Sequence, residues 1–346
     1  RAAGLGYCGS LPSTADGNEP QYPETAAGPW ESSPFVAGRV STWPRLRPPI
    51  MYQQIQLPTD GSEHAKQAAA HAGWLARQTD GRVDLLAVVD VQGAAGLFNA
   101  GGADDQIIGR LRASAEAGID AVTGALDGVE TTRAVLEGSP AAAIPRHARA
   151  RDADLIVMGT HGRTGASRLV SGSVTEAVTR KVNMPVLVVH EADPELPARY
   201  ESIVVATDGG PMATHATEEA LRLAEATGAT VHGVSVADVG GMARYLPDTQ
   251  VGEFQGGVEQ AAAEAATRVT ELAEARSLES TSAVREGAPV EELIGYLSET
   301  GADLLVVGTH GRRGTDRLLV GSTTERLIRR AEFPILAVHE PASAAD

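Results

Sequence analysis

The chain has 346 residues, with 45 acidic against 29 basic side chains and a net charge of −16. That length suits two or three domains, and the negative charge argues against general nucleic-acid binding, because it repels a polyanionic backbone. Apolar runs such as 84–90 and 185–190 are strand-sized, and none approaches the roughly 20 residues that a membrane-crossing helix needs.

Residues 1–50 hold eight of the 19 prolines, two of the three tryptophans and the single cysteine, Cys8, with four arginines against four acids. Pro, Gly and Ser are scattered from Ser10 to Pro49 without an apolar period, which predicts a disordered leader. The stretch lacks the apolar core of a signal peptide. Met51 directly precedes the first regular element, so the favoured reading is a true start at Met51 with an artefactual leader upstream, and a real but flexible tail is the alternative. One cysteine allows no intramolecular disulfide and fits a reducing, cytoplasmic setting.

From Tyr52 onward, β-rich apolar runs alternate with longer Ala-rich amphipathic stretches, the pattern of βα units around a parallel sheet. Strands are predicted at 52–58, 83–89, 131–136, 154–159 and 185–190, with helices at 62–79, 104–126, 139–151 and 173–182. The polar, Pro-bearing stretch 193–199 reads as a linker. Strands then recur at 201–206, 230–236, 281–285, 303–308 and 334–339.

The second half repeats the first. Ala153–Arg163 returns as Ala302–Arg312, 22 of 39 positions match without a gap through Glu191 and Glu340, and Thr59-Asp60-Gly61 answers to Thr207-Asp208-Gly209 after 148 residues. Two homologous α/β domains follow, at 51–192 and 200–340, with a flexible tail at 341–346. Only Lys66 and Lys181 accompany 27 arginines, on a background rich in Ala, Gly, Asp and Glu. This composition resembles that of salt-loving archaea, so the charge reads first as halophilic solvation.

In open parallel sheets, ligands bind outside the carboxyl ends of the strands, where strand order reverses. Asp60 follows the first predicted strand; Gly159-Thr-His-Gly162-Arg-Thr-Gly165 follows the fourth and leads to Gly172-Ser173 at a helix start. The second half supplies Asp208, Gly308-Thr-His-Gly311-Arg-Arg-Gly314 and Gly321-Ser322. Glycines let backbone N–H groups approach an anion, and a helix N-terminus adds further donors. Plain structural readings stand beside this one. Ser173-Val-Thr-Glu176 and Ser322-Thr-Thr-Glu325 are capping boxes in form, Asp60 and Asp208 suit helix caps, and the glycines suit tight turns. His161 and His310 read as hydrogen-bonded loop residues; Arg163, Arg168, Arg312 and Arg317 suit either phosphate clamps or solvent.

The duplicated spacing Gly-x2-Gly-x9-Gly-Ser, with Pro58-Thr-Asp-Gly-Ser62, Val88-Val-Asp90 and Asn183-Met-Pro-Val-Leu-Val-Val189, resembles the nucleotide-binding universal stress proteins across residues 51–340. The resemblance implies tandem Rossmann-like domains, of the adenine nucleotide alpha hydrolase-like kind. Each would be a five-stranded parallel sheet in order 3-2-1-4-5 flanked by helices, holding ATP or another adenine nucleotide; in a chain of this negative charge the phosphates need compensation, so Mg2+ carried in with the nucleotide is expected. It assigns Asp60 to the ribose, the Val88 backbone to the adenine edge, Gly159 and Gly162 to ribose and phosphates, and Gly172, Ser173 and the Val174 amide to the outer phosphates. Asp208, Val236, Gly308, Gly311, Gly321, Ser322 and Thr323 take the same roles in the second copy. There Ala206 replaces the proline and Gly209-Gly210 replaces Gly-Ser, so two sites of unequal affinity are expected. The last strand of each copy resembles the segment through which single-domain members pair, implying an intramolecular pseudo-dimer and leaving open a homodimer of the whole chain.

No G-x-x-x-x-G-K-[ST] lysine and no evident base is present, so the expectation is binding with slow or no turnover. The leading function is a regulatory, stress-responsive ATP-binding protein, with no protein partner specified. The alternatives are a slow ATPase or autophosphorylating enzyme using Ser173 or Ser322, and a nucleotide-free interaction module.

Overall fold

In the first repeat the strands are β1 (Gln54–Pro58), β2 (Arg82–Val89), β3 (Glu130–Glu137), β4 (Leu155–Gly159) and β5 (Val186–Val189). Between them run α1 (Glu63–Thr79), α2 (Asp105–Thr123) with a short 3-10 turn at Gly124–Leu126, α3 (Pro140–Ala150) and α4 (Ser173–Thr179). The second repeat has β6 (Ser202–Ala206), α5 (Pro211–Thr227), β7 (Thr230–Ala237), α6 (Asp248–Glu274), β8 (Ser280–Glu286), α7 (Pro289–Thr300), β9 (Leu304–Gly308), α8 (Ser322–Arg330) and β10 (Ile335–Val338). This computed structural model describes residues 51–91, 105–160, 172–190, 199–240, 248–309 and 321–339, all within one unit spanning 47–346. The leader at 1–50, with Cys8, the linker at 193–198 and the tail at 341–346 lie outside the described residues.

The ten strands form one sheet in the order β3-β2-β1-β4-β5-β10-β9-β6-β7-β8. The first repeat thus has the order 3-2-1-4-5, and the second repeats it as a mirror sequence. All pairings within each repeat are parallel; the join is antiparallel, with Ile335 opposite Val188, Leu336 opposite Leu187 and Ala337 opposite Val186. Order reverses between β1 and β4, and again between β6 and β9, which places two crevices at the carboxyl ends of these strands.

Both faces of the sheet are covered, so the central strands are apolar at nearly every position. Leu155 and Val157 of β4 enter one core, while Ile156 and Met158 enter the other, as a two-residue period requires. Each core draws residues from both repeats. The helix faces are largely alanine: Ala65, Ala68, Ala69, Ala72 and Ala76 of α1 are buried, which lets α1 lie close to the sheet. Ser62 caps this helix, its hydroxyl accepting from the Ala65 N–H at 3.3 Å, and Asp80 ends it in the left-handed conformation at φ 56°.

One sequence expectation needs correction. The N-caps of α4 and α8 are Gly172 and Gly321, not the serines after them, and neither helix start has a side-chain cap. The capping boxes are not formed. Glu176 and Glu325, which would have closed them, face Arg180 and Arg329. Opposite charges one helical turn away compete better for a carboxylate than a serine N–H does.

Candidate functional site

At the β1 tip, the Asp60 carboxylate accepts from the Ser62 N–H at 3.0 Å and the Thr59 hydroxyl accepts from the Gly61 N–H at 3.1 Å. The second repeat reproduces the turn, with Asp208 accepting from Gly210 at 2.8 Å and Thr207 from Gly209 at 3.1 Å. Gly61 and Gly209 adopt φ of 74° and 72°, which is why glycine stands at this step of the turn. The helix cap therefore falls to the residue two places on, Ser62 or Gly210, and the plain reading of the aspartates as caps is corrected. Asp60 is half-buried and Asp208 exposed.

The β2 strand outlasts β1. Its register with β1 ends at Pro58 opposite Leu86, whereas its register with β3 continues to Val89. The Leu86 carbonyl accepts from Thr59 N–H at 2.8 Å, and peptide groups on a strand alternate in direction. The Val88 peptide groups therefore point to the same edge, past the end of β1. Val236 is the equivalent, because the Val234 carbonyl accepts from Thr207 N–H at 2.9 Å. Both valines present backbone to the crevice above the Asp turn.

The β4 tip meets the start of α1. A Cβ on Gly159 would lie 2.8 Å from His64 Cβ and 2.9 Å from the His64 carbonyl carbon; on Gly308 it would lie 3.0 Å from the Met212 carbonyl oxygen. These two glycines are therefore required by helix packing whether or not a ligand binds. Gly172 and Gly321 differ. Their φ values of −55° and −57° suit any residue, so no strained turn accounts for them. The Gly172 N–H donates to the Thr160 carbonyl at 2.6 Å, and the Thr175 hydroxyl donates to the Gly159 carbonyl at 2.7 Å. Gly321 bonds Thr309 likewise, and Thr324 donates to Gly308 at 2.8 Å. Each helix start is thereby pinned beside its strand tip. Ser173 and Ser322 are exposed there, while Val174 and Thr323 are half-buried.

Asp60, Val88, Gly159 and Gly172–Val174 thus all lie at the carboxyl ends of β1, β2 and β4, as do Asp208, Val236, Gly308 and Gly321–Thr323 in the second repeat. Gly162 and Gly311, with His161, His310, Arg163, Arg168, Arg312 and Arg317, lie outside the described residues. Sequence reading missed Gly118. Its absent side chain lets α2 approach the Asp60 turn, where a Cβ would sit 3.0 Å from the Asp60 carbonyl carbon. A lone glycine inside a helix carries no sequence signal for that role. Thr175 and Thr324 were also passed over, although each follows the Gly-Ser pair in both copies.

The groups whose ionisation is most perturbed lie where the repeats join. Burial pushes His71 down to about 4 and holds the Tyr200 hydroxyl well above its usual value, so a neutral His71 Nδ1 and a neutral Tyr200 hydroxyl share a hydrogen bond of 2.7 Å. Trp74 meets Tyr200 edge-on, with centroids 5.2 Å apart. Among the described residues, Asp60 and Asp90 after β1 and β2, and Asp208 and Asp238 after β6 and β7, bring negative charge to the tips. Among the described residues no group of three His, Cys, Asp or Glu could hold a metal ion, and no helix is long and apolar enough to cross a membrane.

A universal stress protein of Methanocaldococcus jannaschii is 39% identical over 147 residues, 42% of this chain and 86% of the relative. One from Mycobacterium tuberculosis is 27% identical over 197 residues, 55% of this chain, and the chain spans only 63% of that relative's length. Among solved structures, a universal stress protein from Archaeoglobus fulgidus aligns with a TM-score of 0.61 at 21% identity, covering 83% of this chain and 98% of its own. Another, solved in complex with cAMP, is 27% identical over 40% of this chain and 98% of its own, with a TM-score of 0.30. The profile described as the Universal stress protein family matches twice, at residues 51–190 and 199–339. The chain belongs to the universal stress protein family.

Proposed function

We propose that this chain is an adenine-nucleotide-binding regulatory protein with two sites, one in each crevice. The observation that carries the reading is the pair Gly172 and Gly321. Both have dihedrals open to any residue, both lack a side-chain cap on the helix that follows, and both stand beside the tip where strand order reverses. Close approach of a ligand gives a reason to omit a side chain there.

The parts suit a nucleotide by their chemistry. The Val88 and Val236 peptide edges match an adenine's donor–acceptor edge, and the Asp60 and Asp208 carboxylates match a ribose hydroxyl pair. The first-turn amides at Ser173–Val174 and Ser322–Thr323 match phosphate oxygens. A nucleotide with several phosphates brings more charge than these neutral amides offset, so Mg2+ would enter on the phosphates rather than on a protein cage. The antiparallel β5–β10 join makes the two repeats one functional unit, in place of a dimer of single-repeat chains. Binding, rather than turnover, would then alter the surface that a partner reads.

Calorimetric titration of MgATP into the full chain, with AMP and GTP alongside, tests the reading. The expected result is about two ATP per chain, with Gly172→Val and Gly321→Val each removing about one and leaving the fold intact. Absence of heat with every nucleotide overturns it and leaves the glycines as loop geometry. Sustained phosphate release that both valine variants abolish would move the reading to a slow ATPase.

A further inference from the structure

We propose that the two sites are negatively coupled through a pair of arginines that α4 and α8 share, an inference that rests on the nucleotide reading above. Each of these helices is fixed at its two ends to different repeats. The α4 start is bonded to its own strand tip through Gly172 and Thr175, but its last carbonyl, Thr179, accepts from His339 Nε2 of the second repeat at 2.7 Å. In α8 the start is bonded to β9 through Thr324, and the Ile328 carbonyl accepts from His190 Nε2 of the first repeat at 2.8 Å. Carbonyls at a helix end lack intrahelical partners, and each histidine supplies one from across the join.

Between these ties lies a closed ring of charge. Arg180 meets Glu176 at 2.5 Å and Glu325 at 2.9 Å; Arg329 meets Glu176 at 2.9 Å and Glu325 at 2.6 Å. Each arginine serves both glutamates. Glu176 stands one helical turn in from Ser173, and Glu325 one turn in from Ser322, on the face of the helix start.

A polyphosphate at the α4 start repels Glu176 and attracts both guanidiniums. Drawing them toward α4 strips compensation from Glu325, which is then left to repel an anion at the α8 start. The histidine ties hold the helices in place, so the charges cannot be relieved by letting the repeats slide. Coupling between binding sites is reciprocal, so filling the second site weakens the first by the same factor.

The test is calorimetric titration of MgATP into four full-length proteins: the unmodified chain, Gly172→Val, Gly321→Val and the double variant Arg180→Gln/Arg329→Gln. The two valine variants give the affinity of each site with the other permanently empty. The second binding step of the unmodified chain should be about fivefold weaker than the weaker of these, the lower end of typical coupling. That shortfall should vanish in the double glutamine variant, persist in Arg180→Lys/Arg329→Lys, and shrink in about 1 M salt, where the screening length is roughly 3 Å. An isotherm of the unmodified chain equal to the sum of the two single-site isotherms overturns the coupling. So does a shortfall that survives in the double glutamine variant. If no protein takes up ATP, the nucleotide reading itself fails and the coupling falls with it.

Discussion

Positions 71 and 74 of α1 and positions 219 and 222 of α5 are equivalent, 148 residues apart, and each pair faces a tyrosine of the other repeat. In the first repeat they are His71, which bonds and stacks on Tyr200, and Trp74, which meets it edge-on. In the second they are Glu219 and Arg222, an ion pair, and the Glu219 charge adds to burial in pushing the Tyr52 hydroxyl up. A second exchange occurs under α3 and α7. Asp84 of β2, fully buried, accepts from Thr132 at 2.6 Å and pairs with His147 at 2.8 Å and Arg151 at 3.3 Å. The equivalent positions hold His232 and Tyr296, joined at 2.9 Å by a neutral bond, with Ser202 at 3.1 Å on the other ring nitrogen.

The strand tips show no such divergence: the Asp turn, the packing glycine and the N-cap glycine recur in both repeats. The sheet tolerates different polar solutions at these positions, whereas the described strand tips keep the same Asp turn and the same glycines.

The largest break in this comparison should come from the buried pairs. Asp84→Ala leaves His147 and Arg151 without their carboxylate and should cost about 3 kcal/mol, whereas His232→Ala removes a neutral, half-buried bond for about 1 kcal/mol. Urea unfolding midpoints of the two variants read the difference.

Acid should act on one half of the join first. His71 has a lower pKa folded than unfolded, so the unfolded chain binds the extra proton; its contribution is complete above about pH 6.5 and is lost as pH falls toward 4. The loss amounts to about 3 kcal/mol at its limit, and unfolding curves across that range should flatten in His71→Gln.

Glycine substitutions separate packing from binding. Gly159→Ala, with backbone at 2.9 Å, should cost about 2 kcal/mol, and Gly308→Ala, with its nearest atom at 3.0 Å, about 1 kcal/mol. Gly172→Ala, whose φ suits alanine, should change stability by under about 0.5 kcal/mol while weakening ATP binding. Thermal melts with and without ATP distinguish the two kinds. A small effect also belongs to the partly exposed ring, where Arg329→Gln should change the unfolding free energy by less than about 1 kcal/mol.

Much of the fold was legible before any coordinates. Predicted strands at 83–89 and 154–159 fall within two residues of β2 and β4, because parallel strands covered on both faces leave continuous apolar runs. The Asp and Gly-Ser positions of the crevices were legible because they recur at fixed spacing in both halves. The capping boxes were misread: a Ser-x-x-Glu string shows only that a box can form, while Arg329, from the other repeat, decides that Glu176 turns elsewhere. Gly118 was invisible for the same reason, since its neighbour is Asp60, far away in sequence.

The sequence by itself thus determined the duplication, the βα alternation and the strand-tip motifs, all properties of residues close together along the chain. Only the tertiary structure decided which glycines are needed for packing, which face of α1 meets Tyr200, and that two arginines are shared between helices of different repeats. Those outcomes depend on contacts between segments about 60 to 150 residues apart, whose distances no local pattern encodes.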